Sequence, residues 1–256
     1  MSMADRARSL EGRTALISGA GRNIGRAMAL ALATAGADIV VNVRQNVEEG
    51  EEVAAAVREL GSKAIVVTGD VSKVEDVRAL FDRAVSELGP VHILVNNAAV
   101  RPHQPFLEIT PEDWNWVLGI GLNGAFHCAQ AAIPGMVEAG WGRIINISGR
   151  DGFSGILNRA HGVTVKAGIH GFTKALALEF GPRGVNVNTV VPGLIQTTRP
   201  KEWYPTLSYE ERSKGIPVRH PGSVEDIAAT VRFLVAEGDY ITGQAVHVNG
   251  GEFLVT

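Results

Sequence analysis

Cysteine is nearly absent: Cys128 is the only one among 256 residues. One thiol excludes an internal disulfide and any cysteine cluster for zinc. Its setting, FHCAQAAI, reads as a buried small apolar residue rather than a nucleophile. No apolar run reaches 18 residues, so no membrane span is expected. There is no basic block and the net charge is −3, which argues against nucleic acid as a partner. The N-terminal MSMADRARSLEGR lacks the apolar core of a signal peptide, and a cytoplasmic location is the expectation. No histidine pair has metal-ligand spacing with a companion acid, so no catalytic metal is expected. Tyrosine is scarce: only Tyr204, Tyr209 and Tyr240 occur.

What is present is an ordinary globular composition, 45% hydrophobic and 20% charged, enough for a sizeable core without staples. Short β-branched runs alternate with Ala-rich helical stretches such as GRAMALALATAG and EEGEEVAAAVRELG. The runs span 14–18, 38–43, 63–71, 91–98, 142–148, 185–193 and 244–251. They are nearly all apolar and do not alternate, so both faces are expected to be buried, as in a parallel sheet. Strands alternating with helices predict βαβ units: an α/β fold, one doubly wound domain over 1–256 with a seven-stranded parallel sheet. Residues 197–222 break the rhythm with four prolines and the aromatics Trp203, Tyr204 and Tyr209. That segment is expected to be a substrate lid.

After the first strand comes SGAGRNIGRAMAL, residues 18–30. Gly19, Gly21 and Gly25 lie in a strand-to-helix turn, where glycine lets the backbone approach a pyrophosphate. The second strand ends VVNVRQNVEE, with no acid until Glu48. An acid there would accept from a ribose 2′-hydroxyl. Arg44 instead suits a 2′-phosphate, with Arg22 beside it, so NADP(H) is the expected cofactor.

Together these stretches resemble the short-chain dehydrogenase/reductase family, from about Gly12 to Gly251. The resemblance implies a Rossmann-like fold. The family's T-G-x-x-x-G-x-G appears as Ser18-Gly19-Ala20-Gly21-Arg22-Asn23-Ile24-Gly25, with Asn23 in place of the middle glycine. Asn96-Asn97-Ala98-Ala99 stands for N-N-A-G, and Gly69-Asp70-Val71 resembles the adenine-contacting segment. Pro192, Gly193, Ile195 and Thr197 resemble P-G-x-x-x-T beside the nicotinamide. The ending YITGQAVHVNGG resembles a strand that lies in a tetramer interface in many members, which implies a homo-tetramer or homo-dimer.

The same resemblance implies four catalytic residues: tyrosine as proton donor or acceptor, lysine lowering its pKa, serine positioning the carbonyl, asparagine holding a water. Here their positions fall on Gly162, Lys166, Gly149 and Gly121. Asn123 and Ser148 lie close to two of them, and a small backbone shift would bring either one in. Lys166 retains a role, since in the family it also contacts the nicotinamide ribose. For the missing acid the best single candidate is His161, which titrates near neutrality. Asp151 is a candidate for a cationic substrate, with Arg150, Arg159, Arg101, His103, Gln104 and Asn158 nearby in sequence. The leading expectation is an NADP(H)-dependent oxidoreductase of a small molecule with a non-standard site. An imine that arrives protonated needs no strong acid, so imine reduction is one version. A carbonyl reductase using His161 is another. A non-redox isomerase or lyase, or a silent cofactor-binding subunit, stays open.

Overall fold

The computed structural model describes residues 9–198 and 208–254. Seven strands form one parallel sheet in the order β3-β2-β1-β4-β5-β6-β7. They are β1 (Thr14–Ile17), β2 (Asp38–Val43), β3 (Ala64–Thr68), β4 (Val91–Asn96), β5 (Gly142–Ile147), β6 (Val185–Pro192) and β7 (Ala245–Val248). The main helices are α1 (Asn23–Thr34), α2 (Val47–Glu59), α3 (Val74–Leu88), α4 (Pro111–Leu118), α5 (Gly124–Glu138) and, after a short α6 (Asp151–Ser154), α7 (Ala160–Phe180). A short α8 (Tyr209–Ser213) and α9 (Val224–Ala236) follow β6.

Both faces of the sheet are buried in its central strands, as the unbroken apolar runs require, while the edge strand β7 is half-buried. Successive side chains on a strand point to opposite faces. Thus Ala15 and Ile17 pack in the core under α1, α2 and α9, while Leu16 packs with α3, α5 and α7. Each large aliphatic side chain buried there contributes roughly 1.5–3 kcal/mol. Cys128 lies fully buried in the second core, and desolvation pushes its thiol up to about 12.

The strand ends come earlier than the apolar runs suggest. β3 stops at Thr68 because Asp70 turns the chain, its Oδ1 accepting from the Ser72 N–H at 3.0 Å and hydroxyl at 2.7 Å. β7 stops at Val248 because Gly250 and Gly251 take positive φ. Tyr240 is fully exposed.

The sheet order reverses between β1 and β4, and a crevice opens there beyond the carboxyl ends of the strands. Ser18 ties its floor together. Its hydroxyl accepts from the N–H groups of Asn97 and Ala98, both at 3.0 Å. A buried polar chain stiffens the next strands. Asn96 donates to Asn146, Asn146 donates to the Thr173 hydroxyl, and that hydroxyl pairs with Thr189 at 2.7 Å. The segment that follows β6 returns beside its own start, where Ile195 bridges Gly222 and Gln196 N–H donates to Gly222 at 2.8 Å.

Candidate active site

A cleft of about 630 Å³ occupies that crevice. Of the residues expected to hold a cofactor, all but Gly21 line it. Gly21 instead packs towards α2, where a Cβ would lie 3.0 Å from Val43 and 3.3 Å from Glu49. Gly25 has no alternative: a Cβ there would lie 2.3 Å from the Gly19 carbonyl oxygen. Asn23 adopts φ 50°, so asparagine supplies the left-handed turn that glycine usually supplies. Helix α1 starts with no side-chain cap and no acid in its first turn. Its free N–H groups and its dipole suit an anion.

At the β2 end of the cleft stand Arg22 and Arg44, both exposed. Arg22 sits 3.9 Å from Glu49. Asn42, also on the wall, spans to β3 by donating to the carbonyls of Val67 and Gly69, both at 3.2 Å. Asn97 is a brace: its amide donates to the carbonyls of Ser18 and Gly19, both at 3.0 Å.

The other half holds Lys166, whose Nζ donates to the Ile147 carbonyl at 2.9 Å. Burial lowers its pKa to about 7, helped by Arg101 and Arg159 and opposed by Asp151. Two of the substituted positions open beside it. A Cβ on Gly162 would meet nothing within 4 Å, and one on Gly149 would only reach Lys166 Cε at 4.0 Å. Gly121 is different, because a Cβ there would lie 2.5 Å from Val165 Cγ1. Val165 has taken the space in which a side chain at 121 would sit. The π-helical turn Gly119–Asn123 nevertheless persists between α4 and α5.

Neither shifted candidate reaches the cleft. Asn123 is exposed and off its wall. Ser148 is fully buried, donating to the Lys166 carbonyl at 3.1 Å and paired with His170 Nε2 at 3.0 Å. His161, expected to be the acid, is also off the wall. One helical residue turns a side chain by about 100°. That rotation buries His161 completely, with Nδ1 accepting from the Gly162 N–H at 2.8 Å. Burial and Arg159 lower its pKa against the pull of Asp113.

Asp151 does line the cleft, but between two arginines: Arg159 at 3.2 Å and Arg150 at 3.5 Å. Arg150 also binds Glu252 at 2.5 Å, and Glu252 accepts from the Leu194 N–H at 3.0 Å. Sequence reasoning missed Glu252, from the far end of the chain, Val165, on the wall beside Gly121, and His170, behind the wall against Ser148. Of the expected lid, Tyr209 hydrogen-bonds Thr197 through both N–H and carbonyl at 3.1 Å, while Trp203 and Tyr204 lie outside the described residues.

A family profile described as enoyl-(acyl carrier protein) reductase matches residues 19–252. The 3-oxoacyl-(acyl-carrier-protein) reductase FabG of Aquifex aeolicus is 38% identical over 95% of this chain and 98% of its own. The chain belongs to the short-chain dehydrogenase/reductase family. The FabG of Staphylococcus aureus strain Mu50 is 36% identical, over 94% of this chain and 98% of its own. Among solved structures, a gluconate 5-dehydrogenase from Burkholderia cenocepacia J2315 in complex with NADP and tartrate superposes with TM-score 0.90 at 32% identity, covering 98% of each chain. A putative short-chain alcohol dehydrogenase from Sinorhizobium meliloti 1021 gives 0.91 at 34%, over 96% of this chain and 98% of that one. Among the described residues, no helix is long and apolar enough to cross a membrane.

Proposed function

We propose that the chain is an NADP(H)-dependent oxidoreductase of a small carbonyl compound, with Lys166 itself holding the transferred proton. The residues present fit the cofactor. The uncapped start of α1, the Gly19–Gly25 cradle and the paired Arg22 and Arg44 would hold its phosphates. Asp70, Val71, Asn97 and Ala98 would flank its adenosine half, and Pro192, Gly193, Ile195 and Thr197 its nicotinamide. When bound, the cofactor supplies or takes up a hydride.

The single observation that carries the reading is the opening around Lys166. Gly149 and Gly162 leave the lysine facing space instead of a phenol, and burial keeps its proton exchangeable near neutral pH. In the reducing direction, Lys166 Nζ–H donates to the oxygen as the carbon gains hydride. In the oxidising direction, neutral Lys166 accepts the hydroxyl proton.

His161 does not compete for this role, being buried away from the cleft. The protonated imine is less well served. Its counter-ion would be Asp151, already shared by Arg150 and Arg159, and it would approach Lys166 and Arg101.

The test is the pH profile of NADPH oxidation with a ketone acceptor, alongside NADPH affinity measured by fluorescence. Ketone reduction should fall as pH rises through about 7, and Lys166→Met should abolish that step. A flat profile from about pH 6 to 9, with Lys166→Met altering only NADPH affinity, would remove Lys166 from proton transfer.

A further inference from the structure

The cleft carries more positive charge than its own carboxylates balance. Two loops build that wall: the stretch after β4, carrying Arg101, and the stretch before α7, carrying Arg159. They are stapled together, because Gln104 N–H donates to the Asn158 carbonyl at 2.8 Å. Asn158 holds φ 59°, a left-handed conformation that asparagine tolerates and that shapes this turn.

Three guanidinium groups line this wall, those of Arg101, Arg150 and Arg159. Arg150 and Arg159 share Asp151, and Arg150 has Glu252 as well. Arg101 is half-buried and meets no carboxylate among the described residues, yet it lies close enough to Lys166 to disfavour the lysine's charge. Two cations facing one open volume repel each other. A structural arginine would turn to solvent or acquire an acid. The absent side chains at 149 and 162 leave room beside Lys166 in the cleft that Arg101 also lines.

We propose that Arg101 recognises a carboxylate on the substrate, so that the compound reduced beside Lys166 is an oxo acid, and the product a hydroxy acid. The inference rests on the oxidoreductase reading for its chemistry but not for its binding. A guanidinium pairs with a carboxylate through two parallel hydrogen bonds, which fixes the orientation of the neighbouring carbonyl. With Lys166 counted, four cations face Asp151 and Glu252, and this excess of positive charge suits a carboxylate on the substrate.

The experiment is calorimetric titration of the chain, with and without NADP⁺, using malonate, malonamide and inorganic phosphate. Charged hydrogen bonds of this kind typically shift affinity by roughly ten- to a hundred-fold. Malonate should bind at least about ten-fold tighter than malonamide or phosphate. Arg101→Gln should remove that preference, and Arg101→Lys should recover part of it. In turnover, the ratio of kcat/KM for acetoacetate to that for methyl acetoacetate should fall by a similar factor in Arg101→Gln. Equal affinities for malonate and malonamide would overturn the proposal. So would phosphate binding as tightly as malonate, or a malonate preference that survives Arg101→Gln. Absence of NADP⁺ binding beside an intact, Arg101-dependent malonate preference would instead sink the oxidoreductase reading and leave the carboxylate site standing.

Discussion

Restoring a phenol at position 162 is the sharpest perturbation the site offers. Gly162 lines the cleft four residues before Lys166 on the same helix, so the two face the same way. A Cβ there meets nothing within 4 Å, so a side chain at 162 can leave the backbone without a clash. Replacing a helical glycine contributes roughly a few tenths of a kcal/mol to stability. The functional gain is larger. A positioned general acid is worth about 10²–10⁴ in rate, and the Lys166 charge would depress the phenol's pKa towards neutrality. Gly162→Phe is the matched control, with the same ring and no hydroxyl. The assay is NADPH oxidation by a ketone, with cofactor affinity measured separately. Ketone turnover by Gly162→Tyr should exceed that of the parent chain and of Gly162→Phe by at least about ten-fold. A folded, NADPH-binding Gly162→Tyr that performs no better than Gly162→Phe would show that the open space is not where the acceptor oxygen lies.

Arg44→Asp should weaken NADPH binding by roughly ten- to a hundred-fold while sparing NADH, read from the ratio of dissociation constants; an unchanged ratio would place the 2′-phosphate elsewhere. Gly121→Asn forces a contact now 2.5 Å from Val165 and should cost about 1–3 kcal/mol of overpacking. Chemical denaturation of Gly121→Asn, Val165→Ala and the double variant should give a favourable coupling between the two sites. His170, half-buried between Ser148 and Phe153, has its pKa lowered to about 4 by desolvation, with His247, Lys174 and Lys166 adding. Its folded pKa lies below its ordinary 6.5, so the associated stability is present above 6.5 and lost as pH falls towards 4. The drop in Tm between about pH 7 and 4.5 should be smaller in His170→Phe, and an equal drop would show that another group drives it.

The sheet was legible because its strands are buried on both faces and so read as unbroken β-branched runs; β2 coincides with its run from Asp38 to Val43. Boundaries were less legible, since side-chain turns such as that of Asp70 end a strand inside an apolar stretch. The glycine-rich side of the cleft was readable from spacing, because Gly19, Asn23 and Gly25 stand in a fixed order in a tight strand-to-helix turn. The catalytic half was readable only as absences. Nothing local revealed that Val165 fills the space at 121, that His161 turns inward, or that Arg150 reaches Glu252 across the fold. Those facts depend on which face of α7 is buried and on contacts between segments remote in sequence.

Asn23 shows how one substitution can take on a second task. Its side chain does what no glycine can: Nδ2 donates to the Thr198 carbonyl at 3.0 Å while Oδ1 accepts from the Thr198 N–H at 2.9 Å. The phosphate loop and the chain leaving β6 are therefore clasped in both directions across the mouth of the cleft. Whatever moves one rim must drag the other or break both bonds. Asn23→Gly would remove both bonds of this clasp while keeping the turn.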